Sequence, residues 1–151
     1  MIKISDILDA INMECVILFP KRTVYIDRLP KKFDRPSFFI ELLNNYEEDA
    51  NNSTVKVNQY YMITAYETVN EYFDSKTLDL IETQEKLLHH FRNGKLKVKD
   101  RYLNIKASSS GKDEDVFYIN IEVEFYDERN SNISNDELIS HVQTDIKYKE
   151  N

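Results

Sequence analysis

The chain of 151 residues is 41% hydrophobic and 31% charged, which predicts one globular domain that folds without a disulfide or a metal. Its formal charge of -7 argues against general or sequence-specific binding to nucleic acid, because phosphates attract clustered Lys and Arg. It has one cysteine, no N-terminal signal pattern and no apolar run near the ~20 residues of a membrane span. We therefore expect a protein that is made in a cytoplasm and stays soluble.

Apolar residues near the start of the chain recur at helical spacing and predict a helix over residues 5–17. Ser5 is the predicted N-cap, and Pro20 prevents any continuation of the helix. Cys15 lies on the apolar stripe, so we interpret it as a small core residue and not as a reactive thiol.

Two charged patches flank the next predicted strands. Residues 23–27 are predicted to form a short strand, and residues 37–43 a central strand that is covered on both faces. Between these strands lies a loop with two prolines and four cations, which are Arg28, Lys31, Lys32 and Arg35. Residues 44–54 are polar and are predicted to form an exposed hairpin tip that carries three acids, which are Glu47, Glu48 and Asp49.

A long β segment and a second helix follow. Residues 55–72 are rich in Tyr, Val, Thr and Ile, and alternate apolar residues place one face of this segment inside. Asp74 or Ser75 is predicted to cap the helix, and Asn93-Gly94 to end it. The residues predicted on its buried side are Leu78, Ile81, Leu88 and Phe91, with Leu80 and Leu87 widening the stripe.

The last third of the chain contains the clearest strand pattern. Phe117, Ile119, Ile121, Val123 and Phe125 alternate with polar residues, as in an antiparallel strand with one solvated face. We predict an earlier strand from Leu96, a turn over residues 99–102 and a polar tip over 108–115. Residues 127–136 resemble a linker, and residues 137–149 fit a strand or a helix, with the strand favoured. The order of elements predicts a single α+β domain, with a mixed or antiparallel sheet packed against two helices and an extended C-terminal segment over 127–151.

The sequence offers little material for catalysis. It has two glycines and no phosphate-binding loop, CxxC or HExxH motif, so we expect no enzyme activity, cofactor or metal. His89 and His90 are adjacent and point about 100° apart on a helix, which disfavours joint chelation. Glu122 and Glu124 share a strand face at roughly 7 Å, but a solvated face paired with Lys residues explains them better than acid–base chemistry.

The sequence favours a role in contacts with other proteins over catalysis. Five tyrosines lie on the polar side of their predicted strands, either at a subunit contact or in a second core layer; they are Tyr60, Tyr66, Tyr72, Tyr118 and Tyr126. The four cations of the loop could meet the acids at the hairpin tip of another copy, which would make both patches a subunit or partner interface. A solvated loop is the alternative.

The order of these segments resembles small tail terminator proteins from phages and prophages of Gram-positive bacteria. The resemblance covers residues 1–126 and rests on the opening MIKISDILDAIN, the strand VYID, the loop ending in RPSFFIEL, the Tyr60-Tyr61 strand and the late hairpin through Phe117-Tyr118-Ile119. The tip at 44–54 and the segment after Asp127 differ from the family pattern, and partner contacts would be tuned there.

The resemblance implies a structural protein without an active site. Such proteins form a ring, usually a hexamer, on the head-proximal end of the tail tube, where they stop tube growth and meet neck or head-completion proteins. The implied partners are further copies of the chain, the tail tube protein, a neck protein and a sheath in contractile tails. The implied location is the host bacterial cytoplasm during assembly and then the virion tail. A phage and a tail-like bacteriocin both fit.

Three other functions stay open at this point. The chain could be a neck or head–tail connector subunit, or an acidic regulatory binding module that acts as a monomer. A hydrolase that uses Glu122 and Glu124 ranks last.

Overall fold

The computed structural model describes residues 1–72, 75–113 and 115–129, and these form an α+β domain. Two helices lie within the described residues, α1 at Ile4–Leu18 and α2 at Thr77–Phe91. The strands are β1 at Thr23–Ile26, β2 at Ser37–Asp49, β3 at Thr54–Tyr66, β4 at Lys95–Val98, β5 at Arg101–Asp113 and β6 at Val116–Glu128.

The strands form one six-stranded mixed sheet in the order β1-β2-β3-β6-β5-β4. β1 pairs parallel with β2, and every other pair is antiparallel. The four central strands each have 13 residues, whereas β1 and β4 have four each. The predicted α+β class and mixed sheet are therefore confirmed.

The two short strands lie at diagonally opposite corners of the sheet. β1 pairs with Ser37–Ile40, at the start of β2, and β4 pairs with Arg101–Asn104, at the start of β5. Ser37 aligns across the sheet with Tyr66, Val116 and Asp113, so the start of β2 lies level with the end of β5. The sheet therefore has the outline of a parallelogram.

One face of the sheet carries the core, and we call it the inner face. Residues of alternate parity along β3 and β6 point into it, including Tyr61, Ile63, Ile119 and Ile121, and all four are fully buried. α1 reaches from the β4 corner, where Asp6 lies 2.7 Å from Lys99, towards β1, and α2 packs on β5 and β6. The predicted buried position of Cys15 is confirmed, as is the predicted alternation along β6.

The predicted N-caps of both helices are wrong, and the predicted buried side of α2 is correct only in part. Lys3, not Ser5, is the N-cap of α1, because the Lys3 backbone N–H donates to the Asp6 carboxylate at 2.8 Å and starts the helix earlier. Lys76 is the N-cap of α2, so Ser75 lies outside the helix, while Asp74 lies outside the described residues.

α2 is also rotated relative to the prediction. Its buried residues are Leu80, Thr83, Leu87 and Phe91, whereas Leu78 is 73% exposed and Ile81 is 42% exposed. Of the six predicted residues, Leu80, Leu87 and Phe91 are buried and Leu88 is half-buried, so the prediction is wrong only at Leu78 and Ile81. The rotation has a polar cause, since the Thr83 hydroxyl donates to Glu67 at 2.6 Å and holds this side of the helix inward.

Strand lengths differ from the prediction at both tips. β2 continues to Asp49 and β3 begins at Thr54, so only residues 50–53 form the turn. β5 likewise runs to Asp113 through most of the predicted polar tip. β2 is next to an edge and is covered fully on its inner face only, since Phe38 and Ile40 are buried and Phe39 is half-buried.

The prediction for 137–149 lies outside the described residues. Neither described helix is long and apolar enough to cross a membrane.

Candidate interaction surfaces

The loop between β1 and β2 presents three exposed cations and one that is anchored. We call residues 28–35 the cation loop. Arg28, Lys31 and Lys32 are exposed. Arg35 instead lies over the rings of Phe33 and Tyr66, at 5.1 and 5.3 Å from their centroids, and donates to the Glu67 carbonyl at 3.3 Å. Arg35 therefore holds the loop on the domain, and the other three cations face outward.

Aromatic packing fixes the conformation of the cation loop. The Phe33 ring lies 4.6 Å from Tyr66 and 6.5 Å from Tyr25, measured between centroids. The Asp34 backbone N–H donates to the Tyr25 hydroxyl at 2.9 Å. These contacts pack the loop on the face of the sheet opposite the helices, which we call the outer face. Because the loop is already ordered, presenting its cations to a partner loses little conformational entropy.

Glu47, Glu48 and Asp49, which we call the acidic tip, lie at the far end of β2. All three are exposed. Asp49 pairs with Arg129, and Glu48 lies 4.0 Å from Lys56, whereas no partner of Glu47 occurs among the described residues. Exposed pairs of this kind contribute little to folding, so these carboxylates remain available for a partner.

The structure does not bring the cation loop and the acidic tip together. The loop precedes Ser37 and the tip ends at Asp49, which is about 40 Å away at the rise of an extended strand. The two patches therefore point in opposite directions along β2. Any contact between them would have to join two separate copies of the chain.

Three of the five predicted outer tyrosines, Tyr60, Tyr66 and Tyr118, are half-buried, whereas Tyr72 and Tyr126 are exposed. Tyr60, Tyr66, Tyr118 and Tyr126 lie on the outer face of β3 and β6, where no described helix covers them, and Tyr72 is exposed outside the strands. The Tyr60 ring stacks on Tyr46 with 6.1 Å between centroids. The hydrogen bond with Tyr46, burial and the nearby Glu122 raise the pKa of Tyr60 to about 12.

The two candidate carboxylates, Glu122 and Glu124, each lie beside a lysine. Glu124 lies 3.0 Å from Lys56, and Glu122 lies 3.9 Å from Lys106 and accepts from the Tyr60 hydroxyl at 3.4 Å. This is the solvated face that the sequence favoured. Two open grooves of about 500 Å³ flank the sheet, one beside residues 1–4 and one beside Leu43 and Glu122.

The cysteine and histidines have structural surroundings. Burial raises the pKa of the Cys15 thiol to about 12, so this sulfur is not an activated nucleophile. His90 lies 2.5 Å from Glu14 and links the two helices. No group of three or more potential metal ligands occurs in the part of the chain that the structure describes.

The domain contains a buried polar cluster that no local pattern in the sequence indicated. The Arg22 guanidinium donates to Glu67 at 2.6 Å and to Thr83 at 3.0 Å, and it lies over the rings of Phe19 and Phe38. Arg22 and Glu67 are 10% and 7% exposed. Their separation of 45 residues left no signal in the sequence. The cluster joins the end of α1, the end of β3 and α2, and it supports the same corner of the domain as the cation loop.

Comparison with known proteins decides the family. A family model described as "Phage tail terminator protein" matches residues 6–135. The chain belongs to the phage tail terminator family. A comparison with curated proteins finds no match. The resemblance that the sequence showed is thereby confirmed at the level of the family, and the terminator's surfaces, more than its grooves, become the candidate sites.

Family membership gives this terminator a structural role in tail assembly. A structural protein of a phage tail acts in the virion tail through contacts with other tail or neck proteins. Such a role needs rigid surfaces that present charge and apolar area in a fixed geometry.

Proposed function

We propose that this terminator forms a ring, hexameric by analogy with its family, on the head-proximal end of the tail tube of a phage or tail-like particle. The ring ends tube growth and offers its opposite side to neck or head-completion proteins. The observation that carries this proposal is the placement of two oppositely charged patches at the two ends of β2. A subunit of such a ring needs at least two distinct contact surfaces, one for its neighbour in the ring and one for another tail protein.

The two patches are contact surfaces for a neighbouring subunit or for another tail protein. Three cations of the cation loop are exposed on a backbone that aromatic contacts hold in place. Charge complementarity of this kind selects the partner and its orientation more than it adds affinity. Arg35 contributes indirectly, because its contacts with Phe33 and Tyr66 fix the loop.

The function is tested by removing the terminator from the phage or particle that encodes it. Without the chain, we expect tails of uncontrolled length that fail to join heads, and supplying the wild-type chain restores one length. Tails of normal length and full infectivity without the chain would reject the proposal. Electron micrographs of negatively stained particles give the length distribution directly.

The role of the cation loop is tested separately with charge reversals. Lys31→Glu/Lys32→Glu reverses two exposed charges and leaves the anchored Arg35 in place. The matched control, Lys21→Glu/Lys97→Glu, changes the same number of exposed charges elsewhere. We expect only the loop variant to lose length control, while both melt like the wild type. Normal lengths with the loop variant would reject this role.

A further inference from the structure

The sheet has two open edges on opposite sides. β1 pairs with four of the thirteen residues of β2, so residues 41–49 have no neighbouring strand on that side among the described residues. β4 covers the start of β5 in the same way and leaves residues 106–113 open. Unpaired edges of this length are templates for pairing with another chain unless something covers them.

The open edges face outward with free backbone groups. The Asp27 N–H, just after β1, donates to the Ile40 carbonyl, so the backbone groups of Ile40 point away from β3. Because backbone groups alternate in direction along a strand, the other inner-face residues of β2 also direct theirs away from β3. Beyond the bulge at Leu43, Asn45 pairs with Gln59 and Glu47 pairs with Val57. The same alternation therefore directs the backbone N–H groups of Asn45 and Glu47 to the open edge. The Ile105 N–H likewise donates to Gly94, so the next edge-facing amide along β5 belongs to Ala107.

The open edges carry complementary charge. The open edge of β2 contains four acids, which are Glu41, Glu47, Glu48 and Asp49, and no Lys or Arg. The open edge of β5 contains Lys106, Lys112 and Asp113, and the Lys106 side chain is 79% exposed. Lys95 on β4, which pairs with Asn104, is also exposed. Pairing the open edge of β2 with its own copy would oppose like charges, which disfavours a two-fold dimer through this edge.

We propose that the open edge of β2 in one copy pairs with the open edge of β5 in the next copy, so that the ring of this terminator is closed by one continuous sheet. This inference rests on the proposed ring. β5 runs antiparallel to β2 within the sheet, so copies related by rotation about a ring axis would join through an antiparallel pair. The contact is heterologous, as ring closure requires.

The diagonal outline of the sheet fits this junction. In a joined pair, β1 of the first copy lies end to end with β5 of the second copy, because both would flank β2 of the first copy. In the same way, β4 of the second copy lies end to end with β2 of the first copy, because both would flank β5 of the second copy. The acidic tip then lies beside Lys95 and Lys106 of the adjacent copy. The acidic tip therefore serves the contact between copies, and the cation loop remains free for another tail protein.

Proline substitutions test the junction without disturbing the sheet of the monomer. Glu47→Pro and Ala107→Pro each remove one outward N–H from an open edge, where proline is tolerated because no internal bond is lost. Lys97→Pro is the matched control on the outer side of β4, which the junction does not use. We expect the first two variants to need at least tenfold more protein to cap tubes made from the tail tube subunit, and the control to cap like the wild type. Normal capping by both edge variants would overturn the proposal.

Hydrogen exchange on the wild-type chain tests the same junction without any variant. The amides of Asn45, Glu47 and Ala107 should exchange rapidly in the monomer and slowly in the ring. Rapid exchange in the ring would overturn the proposal. Slow exchange in the monomer that becomes fast when residues 130–151 are removed would also overturn the proposal. That result would mean that the chain's own C-terminal segment, and not a second copy, covers the edge. If the wild-type chain fails to cap tubes, the capping function fails, while exchange in any ring that forms still decides the junction.

Discussion

Glu67→Gln probes the buried cluster that fixes α2 and supports the cation loop. Glu67 accepts from Arg22 and Thr83, both at 2.6 Å, and its side chain is 7% exposed. The substitution leaves the Arg22 charge buried without a counter-charge, and breaking one side of a buried pair costs about 3–5 kcal/mol. The glutamine oxygen still accepts hydrogen bonds, so we expect the lower end, about 3 kcal/mol.

The assay is thermal and urea unfolding of the monomer. For a domain of this size, about 3 kcal/mol corresponds to a fall in Tm of roughly 6–12 °C. The control is Lys106→Gln, which removes an exposed partner of Glu122 and should change stability by under about 0.5 kcal/mol. A Glu67→Gln variant as stable as the control would refute the reasoning, since the pair would then contribute no more than a surface contact.

Three further predictions concern the core, the thiol and acid stability. Ile121→Asp should prevent folding, because Ile121 is fully buried between Tyr61 and Ala107 and a buried carboxylate costs several kcal/mol; a soluble variant with unchanged melting would show that the other face is inside. Cys15 should resist alkylation at pH 8 until the chain unfolds, because its pKa is raised to about 12; rapid labelling of the native chain would contradict its burial. Lys99 and the Lys3 backbone N–H lower the pKa of Asp6 from 3.8, so the stabilisation it provides is complete above about pH 4 and is lost as the pH falls through its folded pKa. The stability difference between the wild type and Asp6→Asn should therefore shrink below about pH 4, and a constant difference in acid titrations would oppose this.

Local patterns in the sequence predicted those elements that have one buried and one solvated face. β6 is the best case, because its alternation alone fixed both its existence and its inner face. α2 was harder, since six apolar residues surround much of the helix and periodicity could not choose among them. The choice depends on Thr83, whose partners Arg22 and Glu67 come from distant parts of the chain.

The candidate surfaces show the same division between local and distant causes. The exposure of Arg28, Lys31 and Lys32 follows from the local composition of a polar loop. The anchoring of Arg35 depends on Tyr66, which is 31 positions away and is brought near only by the pairing of β2 with β3. The diagonal placement of β1 and β4 depends on strand pairing as well, so no local pattern indicated the two open edges.

Growth of tail tubes in vitro tests the capping function most directly. Purified tube subunits are polymerised with increasing amounts of the wild-type terminator, and tube lengths and end structures are recorded by electron microscopy. The proposed capping function predicts that elongation stops once each tube has one ring of terminators at a single end, even when free tube subunits remain. Tubes that continue to elongate beside unbound terminator, or terminators bound along the tube walls with no ring at an end, would contradict it.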